Sequence, residues 1–113
     1  MTVPLYQAKA EFFRSLGHPA RIRVLELLAE RDLPVHALLA SIEIEPSNLS
    51  QQLSVLRQAG LVTQRRQGGA VIYSLALAEV RDLLVAARRI LETKHAAGAP
   101  LVDEITRPAG STT

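Results

Sequence analysis

The sequence predicts a mainly α protein carrying one β-hairpin, and three observations predict it. Apolar residues recur at helical spacing in five stretches between residues 7 and 96. Two short segments rich in β-branched residues flank Gly68-Gly69, a pair suited to a two-residue hairpin turn. The window Pro46–Ala78 holds no Asp or Glu but three arginines, Arg57, Arg65 and Arg66. The chain has 13 basic and 11 acidic residues, so the remainder carries ten against 11, and the net charge of +2 sits in that window.

In order, Ala8, Phe12 and Leu16 make the apolar stripe of a first helix over about Gln7 to Leu16, with Phe13 widening it. Two rings on a terminal helix are expected in a core, or in part against a second subunit. Gly17-His18-Pro19 breaks the pattern, with His18 expected as a cap and Pro19 in the first turn of the next helix. That helix runs to about Glu30 with Ile22, Leu25 and Leu28 inward, and Arg31-Asp32-Leu33-Pro34 ends it. A short third helix follows, with Val35, Leu38, Leu39 and Ile42 at i, i+3, i+4 and i+7. Its end, Glu43-Ile44-Glu45-Pro46, is a turn of about four residues, Glu43 standing where many such turns carry glycine.

The fourth helix opens at Pro46-Ser47, with Ser47 expected to cap, and buries Leu49, Leu53 and Leu56. Ser47, Gln51, Ser54 and Gln58 point the other way, with Asn48 and Val55 alongside. Gln and Asn can read adenine bidentately, and Ser can bond a base edge or a phosphate. The second helix has Glu and Arg on its outer face, whereas this one has no acid to repel phosphates. Ala59-Gly60 closes the helix, and strands Leu61–Arg66 and Ala70–Leu75 follow. A helix-turn-helix followed by a hairpin with a basic stem is a winged helix, with Arg65 and Arg66 over backbone or minor groove. The same two arginines would also deter edge-to-edge strand pairing.

The last helix, about Leu77 to Ala96, carries Val80, Leu83/Leu84, Ala87 and Ile90/Leu91 at nearly heptad spacing. A long apolar stripe after a complete winged helix is best buried against the first helix of a second copy. A two-fold dimer through Phe12, Val80, Leu84, Ala87 and Leu91 follows. From Gly98 the composition reads as a mobile tail, giving residues 1–97 as the DNA-binding and dimerisation domain and 98–113 as the tail.

Composition removes other classes. There is no cysteine, hence no disulfide, thiolate ligand or cysteine nucleophile. No signal peptide and no apolar run of bilayer-spanning length is visible, so a cytoplasmic protein without membrane contact is expected. With 4% aromatic residues the chain lacks the stacking rings of single-strand and RNA binders. His18, His36 and His95 lie on separate elements, and no nucleophile–base spacing, phosphate loop or carboxylate pair suggests an enzyme. A winged helix that docks protein is the alternative reading. It would need aromatic or apolar anchors on the fourth helix.

Three motifs resemble the ArsR/SmtB family of bacterial repressors. Leu16-Gly17-His18-Pro19-Ala20-Arg21-Ile22-Arg23-Val24-Leu25 resembles its "L-x-x-P-x-R-[ILV]-x-[ILV]-L" opening. Ser47 to Leu56 with Ala59-Gly60-Leu61-Val62 resembles its recognition helix, and Arg66-Gln67-Gly68-Gly69 to Leu75 its wing. The resemblance covers about residues 8 to 96. It implies a homodimeric winged helix-turn-helix repressor of a double-stranded DNA operator, dimerising through its first and last helices. It also implies base contacts from Ser47, Ser50 and Gln51, and phosphate contacts from Arg57, Arg65 and Arg66. The helical wheel adds Asn48 and Ser54 to the reading face.

The sensor sites of the family are not matched. Where arsenic sensors carry Cys-Val-Cys this chain has Pro34, Val35 and His36. Where zinc and cobalt sensors place four ligands it has Leu77, Glu79, Ile90 and Thr93. The metal candidates are therefore His36, Glu79 and the pair Glu92 and His95. With Asp103 and Glu104, that pair would make a nonstandard nickel, cobalt or zinc site, the alternative being a solvated helix end.

Overall fold

Local sequence determines most of the elements in the structure, a computed structural model that describes residues 2–95. In chain order these are α1 (Leu5–Leu16), α2 (Pro19–Glu30), β1 (Leu33–Pro34), α3 (Val35–Ser41), α4 (Pro46–Gln58), β2 (Val62–Gln67), β3 (Ala70–Leu75) and α5 (Glu79–Lys94). Five helices and a hairpin agree with the sequence reading, and helix ends shift by a residue or two, as fraying ends do. The chain divides into two compact units, Met1–Asp82 and Leu83–Thr113, and the division falls inside α5. The segment 98–113, expected as a mobile tail, lies outside the described residues, and Asp103 and Glu104 with it.

In the first unit His18 caps α2, its Nδ1 accepting from the Ala20 amide at 3.1 Å. Pro19 follows at the first helical position, where its missing N–H costs nothing. The core is an aliphatic cluster in which Val24, Leu25 and Leu28 of α2, Leu38 of α3, and Leu49, Leu53 and Leu56 of α4 are all buried. Leu61, Val62 and Tyr73 extend it under the hairpin, and Val80 closes it from the start of α5. Arg81 reinforces that closure by donating from Nε to the Ala29 carbonyl at 2.8 Å, satisfying an orphan acceptor in the last turn of α2.

The turn between α3 and α4 needs no glycine. Ile42 is extended, and among the described residues no non-glycine residue has positive φ, so Glu43 sits there without strain. At the other end of α4, Gly60 (φ 76) makes a Schellman closure. Its amide donates to Arg57 O at 3.0 Å, and the Leu61 amide donates to Leu56 O at 2.9 Å. Leu56 and Leu61 are both buried, the apolar contact that accompanies this motif, and the chain is thereby aimed from α4 into β2.

The hairpin turns on Gly68 and Gly69 (φ 58 and 82), as expected. A third strand was not expected. Leu33 pairs with Tyr73 and Pro34 with Ile72, giving a sheet of order β1-β3-β2. Two residues, one of them proline, show no strand pattern of their own. Only the long-range pairing to β3 makes them one, and proline is tolerated on an edge.

In the second unit the described residues are the rest of α5 and His95. Val85, Ile90 and Leu91 are exposed there, Ile90 by 60%.

Candidate nucleic-acid interface

Helix α4 stands at the surface on one face only. Leu49, Gln52, Leu53 and Leu56, at i, i+3, i+4 and i+7, are its buried residues. The remaining arc presents Ser47, Asn48, Ser50, Gln51, Arg57 and Gln58 to solvent, with Ser54 half-buried. Every side chain chosen from sequence for base or phosphate contact on this helix therefore lies on its accessible arc or at the edge of it.

Two details differ from expectation. Ser47 is not the cap, because Pro46 begins the helix, Glu45 is the N-cap, and no side chain bonds the first turn. The Ser47 and Asn48 amides consequently have no acceptor among the described residues, a short array of donors that suits a phosphate oxygen. Gln52 was missed from sequence as a core residue. It is 7% exposed and donates from Nε2 to Asn48 Oδ1 at 2.9 Å. The bond satisfies a buried amide and orients Asn48, leaving its NH2 group to donate. The i, i+3 spacing from Leu49 was the available signal for Gln52.

The wing separates its two arginines. Side chains alternate along a strand, so Val62, Gln64 and Arg66 share one face of β2 and Thr63, Arg65 and Gln67 the other. Val62 is in the core and Tyr73 is opposite Gln64, so Arg66 continues the core-facing side of the sheet past the point where the core ends. Arg66 is exposed and has no side-chain partner among the described residues. Arg65, by contrast, is engaged: Nη1 donates to Asp32 Oδ2 and to Ser74 Oγ, each at 2.9 Å. Its Nε and Nη2 donate to Gln67 Oε1 at 3.3 and 3.2 Å. Four of the five N–H donors of Arg65, expected from sequence at a phosphate, thus have partners within the chain.

The remaining sequence expectations divide likewise. Val80, expected at the dimer surface, is 3% exposed and belongs to the core of the first unit. Its heptad partners Leu84 and Ala87 are half-buried and exposed, and Leu91 is exposed. On α1, Phe12 is half-buried while its neighbour Phe13 is 54% exposed, as are Leu5 and Tyr6 to a greater extent. Among the described residues no three His, Cys, Asp or Glu side chains come together to hold a metal ion. His36 and Glu79 are exposed. The Glu92 carboxylate accepts from Arg88 Nε at 3.2 Å, a cation already in the place a metal would take. Among the described residues no helix is long and apolar enough to cross a membrane.

A polar, acid-free helix face after a short turn, flanked by a hairpin with a basic tip, defines a winged helix-turn-helix of the DNA-binding class. The family model for "Bacterial regulatory protein, arsR family" matches residues 18–64, from the cap of α2 into β2. The chain is 51% identical over 111 residues to Rv0081, an uncharacterized HTH-type transcriptional regulator of Mycobacterium tuberculosis, covering 97% of this chain and 96% of that one. It is 41% identical to the transcriptional repressor SmtB homolog of Synechocystis over 83 residues, 74% of this chain and 63% of the relative. The crystal structure of Rv0081 superposes with a TM-score of 0.76 at 54% identity, covering 85% of this chain and 97% of that one. That of the transcriptional repressor BigR from Xylella fastidiosa superposes at 0.71 and 34%, covering 75% and 87%. The chain belongs to the ArsR family of bacterial transcriptional regulators.

Proposed function

We propose that this protein is a cytoplasmic, homodimeric repressor that reads a double-stranded operator with α4 and grips its backbone with Arg57 and Arg66. The observation that carries the reading is the exposed arc of α4, which presents Ser, Asn, Gln and Arg and no carboxylate, with Val55 half-buried among them. Gln51 and Ser47 lie opposite the buried stripe and take base edges, with Ser50, Asn48 and Ser54 beside them. Arg57, in the last turn, takes a phosphate. No aromatic or large apolar anchor stands on this arc, so a protein-docking role has no support there.

The SmtB homolog and BigR are named repressors, and the direction of regulation is carried from them. Leu5, Tyr6 and Phe13 on α1, and Val85, Ile90 and Leu91 on α5, are large apolar side chains left in solvent. Pairing with a second copy would cover them and set two copies of α4 about one DNA turn, roughly 34 Å, apart. Leu91→Glu is expected to weaken the dimer roughly tenfold or more, since the charge would be buried without a partner. Sedimentation equilibrium reads this directly, and an unchanged dimer would remove α5 from the interface.

The dimerising and DNA-binding work is assigned to residues 1–97. With no cysteine in the chain, a thiol switch is not available to it. The test is competition for the protein between a duplex from upstream of its own gene and a mixed-sequence duplex of equal length. A specific regulator prefers the former by about a thousandfold or more at physiological salt. Equal competition would defeat the proposal. The same assay repeated with nickel, cobalt, zinc and small organic ligands identifies any effector.

A further inference from the structure

The two wing arginines are adjacent in sequence and chemically equivalent, yet the sheet gives them different surroundings. Arg65 lies opposite Ile72 of β3, so it shares a face with Ile72 and Ser74. On the far side of β3, Leu33 pairs with Tyr73. Asp32, one residue earlier, is carried by the antiparallel register to the row of Ser74 on that same face. The Arg65 guanidinium therefore spans the central strand, from β2 to the residue that enters β1. It meets Ser74 on the way and Asp32 at the end, each at 2.9 Å. Gln67, two residues along on the same face, accepts from the other edge of the guanidinium. A contact between residues 33 apart in sequence thus ties the hairpin stem to the segment between α2 and α3.

We propose that Asp32, with Ser74, makes Arg65 a positioning residue that fixes the angle of the wing, and that Arg66 is the wing arginine that meets the DNA backbone. This inference rests on the DNA-binding reading above. An unclamped hairpin is free to swing about its base, because β1 contributes only two paired residues to hold it. The clamp ties that base to the segment leading into α3, the first helix of the helix-turn-helix unit. Arg66 is then presented on the opposite face of β2, with its donors unused by the described residues. Asp32 and Arg65 are each about half exposed, which keeps the expected effect of the clamp modest.

The experiment measures affinity of the full chain for a mixed-sequence duplex across a salt series. The variants are Arg66→Gln, Arg65→Gln, Asp32→Asn and the Asp32→Asn/Arg65→Gln double. Arg66→Gln is expected to reduce the slope of log K against log salt by about 1 for each protomer bound. Arg65→Gln should change that slope by less than half as much, while lowering affinity about two- to fivefold. Asp32→Asn should lower affinity to a similar extent in the parent chain and have no further effect once Arg65 is gone. The proposal is overturned if Arg65→Gln flattens the slope as much as Arg66→Gln does. It is equally overturned if Asp32→Asn tightens binding, or if its effect persists without Arg65.

Hydrogen exchange of the free protein separates the clamp from the DNA reading. Asp32→Asn should speed exchange at the β2–β3 amides about two- to fivefold, and unchanged exchange defeats the clamp. If the parent chain binds no duplex at low salt while that exchange difference is present, it is the DNA-binding reading that fails and not the clamp.

Discussion

Leu56→Ala is expected to destabilise the folded chain by about 2–5 kcal/mol. Leu56 has no exposed surface and sits in the last turns of α4. Its carbonyl receives the Leu61 amide that closes the helix, and its side chain meets the apolar cluster to which α2, α3 and the hairpin all contribute. Truncation removes apolar contact and leaves a cavity that a packed aliphatic core fills only in part. In a domain of this size the thermal midpoint should fall by more than about 8 °C. Operator affinity measured well below that midpoint should change little, since the outer arc of α4 is untouched. A thermal shift of only a degree or two would show that the α4 core is not packed as described.

Gln51→Ala is expected to do the reverse. The side chain is exposed and makes no bond among the described residues, so stability should move by no more than about 0.5 kcal/mol. Binding to the operator should weaken by about 1–3 kcal/mol, and discrimination at one base pair in each half-site should relax. Competition between operators that differ at single positions measures both. Affinity and selectivity equal to the parent chain would remove Gln51 from the reading head. Together the two substitutions separate the inner and outer faces of one helix.

The helices were legible because each carries its own local signals. The i, i+4, i+7 leucines of α4, the His18-Pro19 start of α2 and the Gly60 closure all act within a few residues of themselves. What could not be read depends on contacts between distant parts of the chain. Strand β1 exists only because Leu33 and Pro34 meet β3. Val80 has the same spacing as Leu84 and Leu91, and periodicity does not say which turn of a long helix the chain's own core reaches first. Arg65 and Arg66 are indistinguishable by composition. Strand alternation alone puts them on opposite faces, but Asp32 as the partner of one requires the folded sheet.

Ser47 illustrates a local signal misread. Proline at the first helical position already makes Glu45 the cap, and the serine is thereby left exposed on the outer arc of α4. The outer arc of α4 stays accessible after that correction, and the buried Gln52 orients Asn48 on it. The sensor side gained nothing comparable. The ligand types scattered over α3 and α5 stay scattered among the described residues, and Glu92 is held by Arg88.

In the proposed complex two copies of α4 enter successive major grooves. Methylation interference at guanine N7, across the protein's own operator, tests it most directly because that atom lies in the major groove. Two clusters of interfering guanines related by a two-fold axis are expected, with centres about 10–10.5 base pairs apart. Interference confined to one cluster, or binding unaffected by N7 methylation at any position, would contradict it.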